Sequence, residues 1–306
     1  MDKKINTLAI FPTFFPARHW GGPIFSSYFT CLGLADNPLV DLRILTTDSS
    51  GPKMRDRLST EEVQAVKREL NIDFASKTMG SSISLSLAIQ IFREARASDV
   101  IWITSIFSFP VLLSVLAARL YNKPVILTPR GSLQFHEKSK KIFLKRLYLK
   151  FLIIFLRNHD LLVHFTSEQE KLQSERIGRN YKSMVLRNGV ELPELPLASR
   201  IERITDHYKR TNGEPLTILY FGRIDKKKGI EFLIKALSKL NRKFFLRIVG
   251  NGDEKYVSQI LEEANEKLGK AKFKYHGALY GKTKDDAFYS SDILVPIKIN
   301  DESGIL

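Results

Sequence analysis

Along the whole chain, short apolar runs rich in β-branched residues alternate with stretches whose apolar positions recur every three to four residues. Runs of the first kind mark strands buried on both faces; stretches of the second mark helices with one covered face. Strands are expected at 7–11, 40–46, 100–103, 124–128, 161–165 and 184–186, and helices at 23–35, 83–97, 110–121, 138–157 and just after Ser167. Pro23 suits a first helical turn, and Ser167 with Glu170 three residues on reads as a capping box. The charged stretch 51–73 reads as a loop holding one helix.

A change of character follows at 191–215, where Pro193, Pro196, Asn212, Gly213 and Pro215 give linker chemistry. The alternation then restarts, with strands at 216–221, 244–249, 272–275 and 293–296 and helices at 230–240, 253–268 and 285–290. Strand–helix alternation in both halves predicts an α/β protein of two Rossmann-like, doubly wound domains, at 1–190 and 216–306, joined by 191–215. Such sheets hold ligands at the carboxyl ends of their strands. From Lys298 to Leu306 the chain reads as a loop and the first turn of a helix, and the second half has fewer strands than the first. The second domain is therefore expected to be incomplete at its C-terminus.

Composition narrows the classes. With 43% hydrophobic and 26% charged residues in 306, the chain is neither collagen-like, disordered nor a disulfide mini-protein. Its one cysteine, Cys31, makes no intrachain disulfide; it reads as a buried small hydrophobe in a reducing compartment. The opening residues combine basic charge with a short apolar run but offer no small-residue cleavage site, so they read as a strand. Residues 100–118 carry no charge and are long enough to span a bilayer, yet Thr104, Ser105, Ser108 and Ser114 interrupt them, and Pro110 divides them into a strand and a helix. The balance of 48 Lys+Arg against 33 Asp+Glu, a net +15, favours a polyanion: nucleic acid, an acidic membrane or a phosphorylated substrate. No aromatic stacking platform or nucleic-acid module accompanies it, so nucleic acid is not expected as a partner.

Five segments carry candidate chemistry, each at a strand's carboxyl end. Trp20-Gly21-Gly22-Pro23 lets backbone approach a ligand at a helix start, or is an ordinary tight turn. Thr128-Pro129-Arg130-Gly131-Ser132 places an arginine to hold an anion, or a surface arginine in a turn. Phe221-Gly222-Arg223, four residues, then Lys228-Gly229 opens a helix; Gly222 clears space while Arg223 and Lys228 can converge on a diphosphate. This is neither a Walker loop nor GxGxxG. Val249-Gly250-Asn251-Gly252-Asp253 is a close-approach turn, and Asp301-Glu302-Ser303-Gly304 offers carboxylates that suit sugar hydroxyls or simply cap a helix. Of the histidines, only His136 follows the Arg130 loop closely enough to be a candidate; His159 and His164 flank a strand and read as structural.

In this order the motifs resemble glycosyltransferase family 4 (glycosyl transferases group 1) of the GT-B fold. Thr128-Pro129-Arg130-Gly131, the basic run Lys145-Arg146-Leu147-Tyr148, Phe165-Thr166-Ser167-Glu168-Gln169-Glu170, Arg187-Asn188-Gly189-Val190 and Gly222-Arg223 with Lys228-Gly229 carry the resemblance. It implies a retaining, hexosyltransferase-like enzyme moving a sugar from a nucleotide diphosphate sugar to a glycan or lipid-linked acceptor in cell-surface polysaccharide or lipopolysaccharide synthesis, with no cofactor and no metal. Catalytic roles then fall to Arg223, Lys228, Asp301 and Glu302, donor binding to Gly222, Arg223, Lys228, Gly250, Gly252 and Gly304, and acceptor binding to Gly21, Gly22, Arg130 and His136. Departures are equally clear. Only the start of the family's Glu-x7-Glu pattern is present, at Asp301 or Glu302; Arg130 stands where many members carry a His, and Trp102-Ile103-Thr104 replaces a His-x-His-like strand end. The alternative expectation is a truncated, inactive relative associated with membranes.

The basic stretch Lys138, Lys140, Lys141, Lys145, Arg146, Lys150 and Arg157 is interleaved with Phe143, Leu144, Leu147, Tyr148, Phe151, Leu152 and Ile153. It suits either a helix lying on an anionic membrane or a core-packed helix with a basic rim. The corresponding location is cytoplasmic, peripheral to the inner face of the plasma membrane.

Overall fold

The computed structural model describes residues 3–80, 82–133, 142–157, 159–174, 181–189, 215–297, 299–300 and 304–305. His136, Lys138, Lys140, Lys141, Asp301, Glu302 and most of the expected linker lie outside these. The chain divides into two compact units, 1–191 and 192–306.

Unit one runs β1 (Ile5–Ile10), α1 (Gly22–Ala35), β2 (Val40–Thr47), α2 (Thr60–Lys67), β3 (Ile72–Ala75), α3 (Leu85–Ala97), β4 (Val100–Thr104), α4 (Phe109–Leu120), β5 (Val125–Thr128), α5 (Ile142–Leu156), β6 (Leu161–Phe165), α6 (Glu168–Gln173) and β7 (Lys182–Val185). The strands form a parallel sheet in the order β3-β2-β1-β4-β5-β6-β7. Alternate residues of each strand point to opposite faces, so Leu8 and Ile10 join Ile101, Ile103, Val125 and Leu127 under α3, α4 and α5. Ala9, Phe11, Ile44 and Trp102 pack instead with Cys31 of α1 and Val66 of α2. Burial on both faces explains why the strands read as continuous apolar runs. Residues 100–118 are broken after Thr104, as β4 and α4, and no helix among the described residues is long and apolar enough to cross a membrane.

Unit two runs β8 (Leu216–Phe221), α7 (Ile230–Leu237), β9 (Phe244–Val249), α8 (Glu254–Leu268), β10 (Phe273–Tyr275), α9 (Gly281–Tyr289) and β11 (Ile293–Leu294), with sheet order β10-β9-β8-β11. Ile218, Tyr220, Leu246 and Ile248 pack beneath Ile230, Ile234, Ile260 and Ala264 of α7 and α8. Leu219 and Val249 face the other way, toward Ala287 of α9. Asp253 caps α8 by accepting the Tyr256 N–H at 3.1 Å.

Three expectations need correction. The stretch 51–73 is not one loop with a helix: it ends in β3, whose Asp73 pairs with Arg43 of β2 and so masks the strand's apolar pattern. α9 begins at Gly281 rather than 285, because its exposed first turn, Gly-Lys-Thr-Lys, carries no apolar marker. Residues 304–305 do not open a helix. They form β13 (Gly304–Ile305), antiparallel to β12 (Ile299–Asn300), with Ile299 opposite Ile305 in the register.

Candidate functional site

In unit two the strand order reverses between β8 and β11, since successive crossovers lead from β8 to β9 on one side and back to β11 on the other. A crevice opens at the carboxyl ends of such a strand pair. A cavity of about 150 Å³ lies there, lined by Tyr220, Phe221, Gly222, Lys228, Pro296 and Ile297. No heavy atom lies within 4 Å of the place a Cβ would take on Gly222. Gly222 and Lys228 thus line the same space, an arrangement that can accept an anionic group with close backbone contact.

The loop that carries these groups is held from below. The Tyr220 phenol is buried, and its O–H donates to the Arg223 carbonyl at 2.9 Å. Burial first, then the nearby Glu231 and Asp225 carboxylates, push this phenol up to about 12. Glu231, in the first turn of α7, accepts the Tyr256 hydroxyl at 2.7 Å. Between the two loops, Gly222 N–H donates to Val249 O at 3.0 Å, and Ile224 N–H to Asn251 O at 2.9 Å. A Cβ at Gly250 would meet Gly222 O at 1.8 Å, and one at Gly252 would meet Ile224 O at 2.0 Å. The space beside Gly250 and Gly252 is therefore filled by the neighbouring loop, not left open to a ligand. They let the β9–α8 loop lock the β8–α7 loop in place.

Of the residues expected to bind the donor, the structure brings Gly222 and Lys228 together in one cavity. Arg223 leaves the same loop with its carbonyl fixed by Tyr220, but its side chain is not among the cavity's lining. Gly304 sits in β13.

Unit one repeats the geometry at β1 and β4, where its own strand order reverses. Gly21, at φ 75°, precedes α1, and the Cβ position of Gly22 faces open space. Arg130 follows the neighbouring β5 with φ 53° and Gly131 with φ 75°, a tight corner that a non-glycine residue adopts only when held. Glu170 supplies the hold. One of its carboxylate oxygens accepts the Gly131 N–H at 2.5 Å, the other the Thr166 N–H and hydroxyl at 2.7 Å each. Ser167 does cap α6, yet the Glu170 carboxylate departs from the expected capping box to tie two corners together. Arg130 Nη1 donates to Ser26 Oγ at 2.8 Å and to Asn188 Oδ1. Burial lowers the Arg130 pKa, opposed by Glu170 and then Cys31. Cys31 itself is fully buried, and burial pushes its thiol far above the usual range, which suits packing rather than reaction.

The motif reading singled out Trp20-Gly21-Gly22-Pro23 and Arg130 but missed Thr104 and Ser108. Trp20 Nε1, Thr104 Oγ1, Ser108 Oγ and Arg130 Nε are buried with no hydrogen-bond partner among the described residues; Thr104 ends β4, and the other three lie in the segments that follow β1, β4 and β5. A buried polar group left unpaired costs about 1–3 kcal/mol, so each of these four calls for a polar partner. For Thr104 and Ser108 the hint in the sequence was their place within a run otherwise apolar. Among the described residues no three His, Cys, Asp or Glu side chains come together to hold a metal ion.

The family model described as glycosyl transferases group 1 matches residues 203–304. An uncharacterized 41.2 kDa protein in the cps region of Klebsiella pneumoniae is 23% identical over 266 residues, covering 86% of this chain and 68% of that protein. Anabaena HepE, solved with UDP and glucose, superimposes with a TM-score of 0.67 at 12% identity, over 97% of this chain and 75% of its own. The lipopolysaccharide outer core galactosyltransferase WaaB superimposes with a TM-score of 0.59 at 13% identity, over 96% and 74%. The fold is that of the GT-B glycosyltransferases, α/β with parallel sheets.

Proposed function

We propose that the protein is a nucleotide-sugar glycosyltransferase whose donor diphosphate sits in the cavity between β8 and β11. The observation that carries this reading is the convergence of Lys228 and the open backbone of Gly222 at that strand reversal, inside the segment matched by the family model. When a glycosidic bond to a nucleoside diphosphate breaks, negative charge grows on the departing phosphate. A fixed cation there binds the transition state more tightly than the ground state. Lys228 and Arg223 are the cations the chain provides for the leaving group; that transfer needs no metal and retains the anomeric configuration is assigned by resemblance alone. Tyr220, Gly250 and Gly252 hold the loop that presents them.

The unpaired polar edge of unit one, with Gly21, Gly22 and Arg130, receives the acceptor, a glycan or lipid-linked sugar whose hydroxyls answer Trp20, Thr104 and Ser108. Asp301 and Glu302 are assigned to the donor sugar's hydroxyls by resemblance alone. Cell-surface polysaccharide synthesis is supported by the cps-region relative and the lipopolysaccharide galactosyltransferase neighbour; a uridine donor is supported by the UDP–glucose complex of HepE. The test is a panel of UDP-, GDP- and ADP-sugars assayed for hydrolysis and transfer, with Lys228→Ala and Arg223→Ala as controls. Turnover of one donor class, lost in both variants, is expected. Turnover that survives both substitutions, or none with any donor, overturns the reading.

A further inference from the structure

A lysine is almost never fully buried, because taking its ammonium out of water costs heavily unless other groups replace the water. Lys77, two residues beyond β3, is only 1% exposed. The loop that follows β2 closes around it. Lys77 Nζ donates to Lys53 O at 2.7 Å and to Asp56 O at 2.6 Å, with Ser49 Oγ at 3.4 Å and Gly51 O at 3.5 Å. Burial lowers its pKa, with Asp48 and then Asp56 opposing and Arg57 adding to the fall. Neither carboxylate is paired with the ammonium itself. Asp48 accepts the Lys77 N–H at 2.9 Å and pairs with Arg57 at 2.7 Å, while Asp56 accepts the Lys53 N–H at 2.9 Å.

An ammonium has three protons to give, and here four neutral oxygens surround it. Ser49 donates its own hydrogen to Gly51 O at 2.9 Å, so it meets the ammonium as an acceptor. Neutral oxygens in excess of the donors, most of them backbone carbonyls, are how a chain replaces the water around a monovalent cation. The same carbonyls fold the loop: Asp56 O also takes the Ser50 N–H at 2.9 Å, and Lys53 O the Asp56 N–H at 3.0 Å. We propose that loop 48–58 is a monovalent-cation site whose resident ion is the chain's own Lys77 ammonium, and that this ion holds the loop closed at the carboxyl ends of β2 and β3. The inference uses no residue of either strand-end site and stands apart from the glycosyltransferase reading. The rival is a lysine that merely fills space with its stem and anchors two carbonyls.

The experiment is hydrogen exchange on the full chain, read in peptides spanning 49–58, with peptides spanning 216–221 as internal standard. Wild type, Lys77→Ala and Lys77→Met are compared in potassium, n-propylammonium and tetramethylammonium chloride at equal ionic strength. n-Propylammonium restores the atoms the alanine variant lacks, and potassium restores the charge alone. Tetramethylammonium carries charge but is too large and has no N–H. In tetramethylammonium, Lys77→Ala is expected to exchange about tenfold to a hundredfold faster than wild type at 49–58, with 216–221 unchanged. n-Propylammonium and potassium are each expected to slow it again by about threefold or more, and Lys77→Met to be as fast as Lys77→Ala. Wild type is expected to ignore the choice of cation. Should Lys77→Ala fail to fold in tetramethylammonium, near-UV circular dichroism makes the same comparison, and recovery in n-propylammonium and potassium is expected. Rescue by neither cation, or by n-propylammonium alone, overturns the proposal, as does wild-type protection in Lys77→Ala or Lys77→Met.

Discussion

Replacing Gly250 by Ala tests whether the two loops of unit two hold each other. The new methyl would stand 1.8 Å from the Gly222 carbonyl oxygen, about half the 3.4 Å at which ordinary contact begins, and the obstacle is backbone. A side chain could swing aside; a carbonyl cannot, so the whole β8–α7 loop must retreat by more than an ångström. That retreat breaks the Gly222–Val249 and Ile224–Asn251 hydrogen bonds and strains Gly250–Gly277 at 2.7 Å. Each net backbone bond contributes about 0.5–1.5 kcal/mol, and a side chain at the residue's φ of 147° adds about 1 kcal/mol or more. The expected loss is about 2–4 kcal/mol, a large share of the roughly 5–15 kcal/mol that stabilises a folded domain. Urea denaturation and nucleotide titration would follow it together, with unfolding at lower urea and loss of donor binding where fold survives. Gly33→Ala in α1, where nothing lies within 4 Å of the new Cβ, is the control and should stabilise by about 0.5–1 kcal/mol. A Gly250→Ala protein with unchanged midpoint and donor affinity would refute the interlocking.

Thr128→Val probes a chain of hydrogen bonds across four strands: Trp102 Nε1 to Thr128 Oγ1 at 2.9 Å, Thr128 Oγ1 with His164 Nδ1 at 3.3 Å, and His164 Nε2 to Leu186 O at 2.9 Å. A carbonyl only accepts, so Nε2 carries the proton and Nδ1 takes the threonine hydroxyl; the variant strands a buried indole N–H and should cost about 1–3 kcal/mol in urea denaturation, an effect below 0.5 kcal/mol counting against the network. Tyr220→Phe removes the Arg223 carbonyl's partner. Because the folded phenol sits near 12, above its ordinary 10, its contribution is complete below about pH 10 and fades as pH rises toward 12. The wild-type melting temperature should therefore fall more steeply than that of Tyr220→Phe over this window, and parallel curves would remove Tyr220 from the account.

The strands of both sheets were legible because Leu8–Ile10, Ile101–Ile103 and Ile218–Tyr220 are buried on two faces and so show as unbroken apolar runs. β3 was not, since four residues at a sheet edge with an aspartate inside them carry too little pattern; its Arg43 partner is 30 positions away. The same limit shaped the site. Gly222 and Lys228 are six positions apart, and their loop announces itself between a strand and a helix. The reason for Gly250 and Gly252, by contrast, is the backbone of another loop, and the reason for Glu170 is a corner near Arg130, neither of which lies in local spacing. Thr104 and Ser108 look in sequence like any polar residue near a strand end.

The central claim is that a nucleoside diphosphate binds between β8 and β11, and the hydrogen-exchange footprint of UDP, GDP and ADP on the full chain tests it most directly. The account predicts that one of them slows exchange in peptides spanning 220–229 and 293–297, and that Lys228→Ala weakens this protection by about tenfold to a hundredfold in nucleotide concentration. Protection confined to other segments, or the same protection in Lys228→Ala at unchanged concentration, would contradict it.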